Sequence, residues 1–282
     1  MTTKLIIIEG LPGLGKSTTA RMVYDILKSK GIKSELFSEG DYNHPADYDG
    51  VAYFSDGDFN KLKNMHLENE NILNKIKIRH GSGYLIPYRK IIEEKKISFP
   101  DRLLSDITKN NVYELPLDLH TVLILNRWED FVNRCVHEDK TVVFECCFIQ
   151  NPVTMTMIKN NSTPQVTIDY VQNLAKMVVP LKPILLFLEQ KNIEMSLKKA
   201  ISERPKEWFE SFEDYYTNQG YGLDNNLKGL DGVISILKSR YRLEQEIYES
   251  LSLTKYRIDN SAFDLNLHRE TIGSILEPHL PL

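Results

Sequence analysis

The chain has 282 residues, of which 41% are hydrophobic and 26% charged, with a formal net charge of −4. This composition excludes collagen-like, disordered and disulfide-scaffold chains, and the length suits one large domain or one domain carrying an insertion. The mildly acidic balance gives no electrostatic reason to expect nucleic-acid or anionic-membrane binding. Three cysteines, Cys135, Cys146 and Cys147, fall in no disulfide-framework spacing. The adjacent pair Cys146–Cys147 allows a vicinal disulfide or a metal, but reads more simply as two packed thiols on opposite sides of a strand end. The apolar run Leu5–Ile8 is too short for a signal-peptide core. No stretch reaches the roughly 18 apolar residues of a membrane-spanning helix, so a cytoplasmic protein is expected.

In chain order, the β-branched run from Lys4 to Glu9 predicts a buried strand. Ala20, Val23, Tyr24 and Leu27 repeat at three-four spacing and predict a helix from Lys16 to Lys30, stopped by Gly31. Ile32 to Phe37 predicts a second strand, which completes a βαβ unit and points to a parallel sheet. Asp41 to Asp58 is rich in Asp, Gly, Asn and Tyr and is expected to be a loop. A helix is expected from Phe59 to Asn74. Two alternating runs around Gly81-Ser82-Gly83 then predict a β-hairpin within Lys75 to Lys90. Ile91 to Asn111 has mixed patterning. A long helix is expected from Leu117 to His137 and a strand from Thr141 to Cys146. Helical patterns from Asn151 to Val179 are interrupted at Pro164. A fourth strand is expected from Pro183 to Leu188, helices at Ile193 to Arg204 and Gly229 to Leu253, a final strand at Lys255 to Asp259 and a final helix at Leu265 to Leu276. The expected fold is α/β: a single domain, 1–282, on a doubly wound five-stranded parallel sheet. Its surplus length, 42–140, is a helical and hairpin insertion between the second and third strands and is expected to form the acceptor site.

Gly10-Leu11-Pro12-Gly13-Leu14-Gly15-Lys16-Ser17, followed by Thr18, fits the phosphate-binding P-loop pattern G-x-x-x-x-G-K-[ST]. It follows a predicted strand and opens a predicted helix, as the mechanism requires. Glycines let backbone N–H groups turn inward around phosphate oxygens, and the helix N-terminus adds its positive end. Lys16 then reaches the β- and γ-phosphates of ATP, and the Ser17 hydroxyl ligates Mg²⁺. The only Asn-Lys pair, Asn74-Lys75, is followed by Ile76-Lys77, so the base-reading N-K-x-D motif of GTPases is missing.

The arrangement resembles the nucleoside and nucleotide kinase group, especially thymidylate and deoxynucleoside kinases. The second strand ends Phe37-Ser38-Glu39-Gly40-Asp41, where deoxynucleoside kinases place a catalytic carboxylate. The third ends Phe144-Glu145-Cys146-Cys147, where the family has D-R-[YHS] or E-R-S. Ser196 to Arg204 resembles the approach to an arginine-bearing lid. The resemblance implies ATP and Mg²⁺ as cofactors and a small-molecule acceptor, and it allows a homodimer, since dimers are common among similar kinases. Two departures stand out. Cys146 replaces the family arginine, and the lid is thin, with Arg204 and Lys206.

Phosphoryl transfer needs charge neutralisation, in-line positioning and a group to take the hydroxyl proton. Glu39 is the expected base with Asp41 as runner-up, and Glu145 the expected Mg²⁺ acid. Arg204 is the expected lid contact, with Arg79, Arg127 and Arg134 as replacements for the missing arginine at the acceptor. Arg240 and Arg242 read more simply as surface ion-pair partners. His44 is a loop residue with a substrate contact as its sharper reading. Trp128 and Tyr84 read first as core, then as stacking platforms. Three rivals stand beside a nucleoside or nucleotide kinase: phosphotransfer to an antibiotic or other metabolite hydroxyl, a regulatory NTPase whose acceptor is water, and a nucleotide-binding module without catalysis.

Overall fold

A computed structural model of the protein describes residues 3–280. The chain divides into two compact units, Met1–Glu39 with Trp128–Leu282, and Gly40–Arg127. The division falls inside the helix Leu117–Cys135.

The first unit is α/β. Five strands, β1 (Leu5–Glu9), β2 (Ser34–Phe37), β6 (Thr141–Glu145), β7 (Ile184–Glu189) and β8 (Thr254–Asp259), form one sheet in the order β2-β6-β1-β7-β8. Every pairing in it is parallel. All five residues of β1 and of β6 are buried, which is why these strands read as unbroken apolar runs. The sheet is flanked by helices, among them Lys16–Ser29, Pro164–Val178, Gly229–Ser250 and Leu265–Leu276. Trp128 is fully buried, with its ring 5.5 Å from Phe144 and 5.8 Å from Phe148 in edge-on contacts. Such aromatic pairs add about 0.5–1.5 kcal/mol beyond area burial. Register sets the site: Ile8 pairs with Glu145, Glu9 with Phe187, and Phe37 with Phe144. The carboxyl ends of β1, β2 and β6 thus share one edge of the sheet, where open α/β sheets bind ligands.

The second unit carries a three-stranded antiparallel sheet, β3 (Ala52–Ser55), β5 (Gly83–Ile86) and β4 (Ile78–His80), in the order β3-β5-β4. The β4–β5 pair is the hairpin expected around Gly81-Ser82-Gly83. Its core includes Phe54, Phe59, Leu62, Ile86, Ile91 and Leu103.

Several local expectations change. Ala52–Ser55 is a strand rather than loop, because Ala52 and Phe54 alternate into this core while Tyr53 and Ser55 face away from it. The helix expected over Phe59 to Asn74 is two, Asp56–Met65 and Glu70–Ile76, interrupted at His66, whose φ of −133° is not helical. The mixed stretch after Ile91 resolves into helices Tyr88–Lys95 and Asp101–Thr108. Pro164 interrupts the helical stretch by starting a new helix at its first turn, where a missing N–H costs nothing. Among the described residues, no helix is long and apolar enough to cross a membrane.

Candidate functional site

The glycine-rich loop runs from the end of β1 into the helix Lys16–Ser29. Gly10 has φ +140°, and a Cβ there would lie 2.7 Å from the Leu188 carbonyl oxygen, so β7 leaves room for glycine only. Gly13 and Gly15 have φ of +84° and +91°. Leu11 and Leu14 are buried and pin the loop from below, while Pro12 is half-buried and Thr18 exposed. Asn260, just past β8, donates from Nδ2 to the Leu14 carbonyl at 2.8 Å. The helix starts without a side-chain cap and with no acid in its first turn. Its leading N–H groups, left without helical partners, make that end a natural anion site. Lys16 is buried, and its Nζ donates to the Leu11 carbonyl at 2.9 Å, folding the ammonium over the loop.

Glu145 ends β6 beside this helix start. Its Oε1 accepts the Ser17 hydroxyl at 2.5 Å. The backbone N–H of Glu39 donates to Glu145 Oε2 at 3.5 Å, and Gln150 Nε2 donates to Glu39 Oε1 at 2.7 Å. Ligand atoms of Glu39, Glu145 and Cys146 all lie within 4.8 Å of one another. Ser17, Glu39 and Glu145, separate in sequence, therefore meet. A hydroxyl and a carboxylate in contact are hard oxygen donors, the kind that suit Mg²⁺. The turn after β6 is tight: Cys146 is buried and has φ +73°. None of the three cysteines is in a disulfide.

Beneath this turn lies Glu9, fully buried. Its carboxylate accepts three backbone N–H bonds, from Phe148 and Ile149 to Oε1 at 2.7 and 2.8 Å and from Gln150 to Oε2 at 3.0 Å. Burial pushes its pKa up to about 7 although those three donors oppose the rise; Glu244 adds a smaller push upward. Glu9 therefore fixes the backbone that carries Gln150, and through it Glu39. A second buried group lies nearby in the same unit. Arg240 Nε donates to Glu244 Oε1 at 2.7 Å and Arg240 Nη1 to the Tyr216 hydroxyl at 2.8 Å, with both ends of the ion pair buried. Arg240 is thus a core residue, not the surface ion-pair partner expected from sequence. Its neighbours at helical spacing, Ile236 and Leu243, are buried with it.

The remaining candidates are distributed as follows. Arg204 is exposed past the end of helix Ile193–Ser202, its guanidinium 4.2 Å over the Trp208 ring. Arg134 is exposed and donates to the Asp130 carbonyl at 3.2 Å. Asp41, Arg79 and Arg127 belong to the second unit. Asp41 Oδ1 accepts the Asn43 N–H at 2.8 Å. Arg79 makes an exposed ion pair with Asp56 at 2.5 Å. Arg127 donates to the His44 carbonyl at 3.0 Å and lies 4.9 Å over the Tyr48 ring. His44 is buried rather than a surface loop residue. Burial, aided by Arg127, holds its pKa down at about 3. Tyr84 packs against Phe59 at 4.7 Å, with Lys77 and Arg79 over its ring.

Glu9, Gln150 and Asn260 were missed from sequence. Glu9 did leave a signal, an acid closing a wholly apolar strand immediately before the loop. Gln150 and Asn260 left none.

No family model matches the chain. Among solved structures it is similar, at a TM-score of 0.40 and 12% identity over 100% of each chain, to one described as "a putative kinase from chloroflexus aurantiacus j-10-fl".

Proposed function

We propose that the protein is a P-loop phosphotransferase that moves the γ-phosphoryl group of ATP to a small-molecule hydroxyl or phosphate, with nucleosides and nucleotides as the leading acceptors. One observation carries this reading: the loop Gly10–Ser17 opens a helix whose Ser17 hydroxyl touches the Glu145 carboxylate at 2.5 Å, with Glu39 adjoining. The loop N–H groups and Lys16 bind the phosphates. Ser17 and Glu145 are the residues that would hold Mg²⁺, which when bound neutralises charge on the β- and γ-phosphates. The acceptor oxygen bonds to the γ-phosphorus, the bond to the β–γ bridging oxygen breaks, and ADP leaves. Glu39, oriented by Gln150, takes the acceptor's proton. We assign Arg204 to charge neutralisation during transfer, and Arg134 to recognition of the acceptor.

The test is incubation with Mg-ATP and a panel of nucleosides, nucleotides and hydroxylated antibiotics, followed by mass analysis for phosphorylated product. A phosphorylated nucleoside or nucleotide supports the reading, and a phosphorylated antibiotic moves the acceptor class. ADP formation that no acceptor alters favours a regulatory NTPase. Lys16→Ala should lose nucleotide binding or turnover severely, and unchanged turnover would remove the loop from the mechanism. Glu39→Gln should keep ATP binding and lose transfer, so normal transfer would remove Glu39 as the base.

A further inference from the structure

The Leu14 carbonyl lies just outside the helix Lys16–Ser29. The Gly15 carbonyl that follows it is held by the helix itself, accepting the Thr19 N–H at 2.9 Å. The Leu14 carbonyl accepts no backbone N–H among the described residues. Its donor is Asn260 Nδ2, at 2.8 Å and 246 positions away in sequence. Only the nitrogen end of a carboxamide can donate to a carbonyl, so this bond also fixes which way the Asn260 amide faces. Asn260 is itself anchored through its backbone. Its N–H donates to the Glu189 carbonyl at 3.0 Å, and its carbonyl accepts from Gln190 Nε2 at 3.2 Å. A Cβ on Gly15 would lie 2.9 Å from Asn260 Nδ2, so the side chain presses directly against the loop. All of these residues belong to the first unit.

Peptide planarity turns this bond into aim. In a trans peptide unit the carbonyl of one residue and the N–H of the next point in opposite directions. Drawing the Leu14 carbonyl toward Asn260 therefore turns the Gly15 N–H away from Asn260. Among the described residues no backbone carbonyl accepts that N–H. It sits at a helix start, in a loop whose Gly13 and Gly15 have φ of +84° and +91°. An oriented N–H left without an acceptor in such a turn is a donor for an anion.

We propose that Asn260 is a positioning residue for phosphate binding: by holding the Leu14 carbonyl it keeps the Gly15 N–H aimed at the phosphates of the bound nucleotide. Asn260 itself does not touch them. The inference rests on the proposed function, since it takes the loop to be the phosphate site. Without the bond, the Leu14–Gly15 peptide is free to rotate and to present a carbonyl oxygen to an anion, which replaces a favourable dipole by a repulsive one. The fold around Asn260 does not depend on the side chain in the same way, because its bonds to Glu189 and Gln190 are made by the backbone.

The test is calorimetric titration of the full-length wild type, Asn260→Ala and Asn260→Asp with Mg-ATP and with inorganic tripolyphosphate, which carries phosphates but no base. Asn260→Ala should weaken both ligands alike, by roughly five-fold or more, the worth of one ordinary hydrogen bond, and should keep the wild-type circular dichroism. Asn260→Asp keeps the shape and replaces the donor by a charged acceptor, so near pH 8 its defect should exceed that of Asn260→Ala. Toward about pH 5 that defect should shrink relative to wild type, because a protonated carboxyl donates again, whereas Asn260→Ala should keep a constant ratio to wild type. A loss with Mg-ATP alone would place Asn260 at the base and overturn the proposal. Variants that bind tripolyphosphate as the wild type does would also overturn it, and in both cases the phosphate loop stands. Equal defects in the two variants at every pH would make the side chain a spacer rather than a donor, which overturns it as well. A wild type that binds neither ligand refutes the loop itself, and the positioning role with it.

Discussion

The fully buried carboxyl of Glu9 makes the stability of the first unit depend on pH in a way that one substitution isolates. In the unfolded chain Glu9 ionises near its ordinary value of 4.5, whereas in the fold burial holds ionisation back to about pH 7. Between those values the folded protein keeps a proton that the unfolded chain has released. The associated stability is therefore complete below pH 4.5 and is lost as pH rises through about 7. At about 1.4 kcal/mol per pH unit, the loss is roughly 3 kcal/mol. Glu9→Gln carries no titrating proton. Its own cost, from a weaker hold on the N–H groups of Phe148, Ile149 and Gln150, does not vary with pH. The stability of wild type minus that of Glu9→Gln should thus fall by about 3 kcal/mol from pH 4.5 to 8. Urea unfolding followed by tryptophan fluorescence measures this, since Trp128 is buried in the same unit. Taking the difference between variants cancels the other titrating groups. Parallel stability curves for the two proteins, within about 0.5 kcal/mol at every pH, would refute the reasoning.

His44 should act in the opposite direction. Its pKa is held at about 3 against an ordinary 6.5, so it contributes stability that is present above pH 6.5 and is lost as pH falls toward 3. His44→Gln should flatten the acid limb of unfolding, and an acid limb of unchanged slope counts against this. Arg240→Met leaves Glu244 charged and alone in the core and should cost about 3–5 kcal/mol, read as a Tm lower by about 2–4 °C per kcal/mol. The double variant Arg240→Met with Glu244→Leu should recover most of that loss. Simple addition of the two single costs would show that the pair is not coupled.

Much of the α/β framework was legible in the sequence because parallel strands buried on both faces read as continuous apolar runs, and β1, β6 and β7 have them. The hairpin around Gly81-Ser82-Gly83 announced itself through alternation and glycine. By contrast, Ala52–Ser55 is a strand only because β5 pairs with it, and its flanking Asp, Gly and Tyr residues hide a four-residue alternation. The loop Gly10–Ser17 was equally plain, since its glycines and lysine have local backbone reasons to occur together.

The meeting of that loop with other groups was decided by tertiary structure alone. Insertion of β6 between β1 and β2 brings Glu145 to Ser17 and to Glu39. Periodicity records which face of a segment is buried, but not which distant segment covers it. Glu9 and Gln150 meet across 141 positions, and Asn260 reaches Leu14 across 246. Arg240 illustrates the same limit: as one charged residue on an amphipathic helix it reads as solvent-facing. It is buried because Glu244 one turn on and Tyr216 from another helix supply the partners that make a buried charge tolerable.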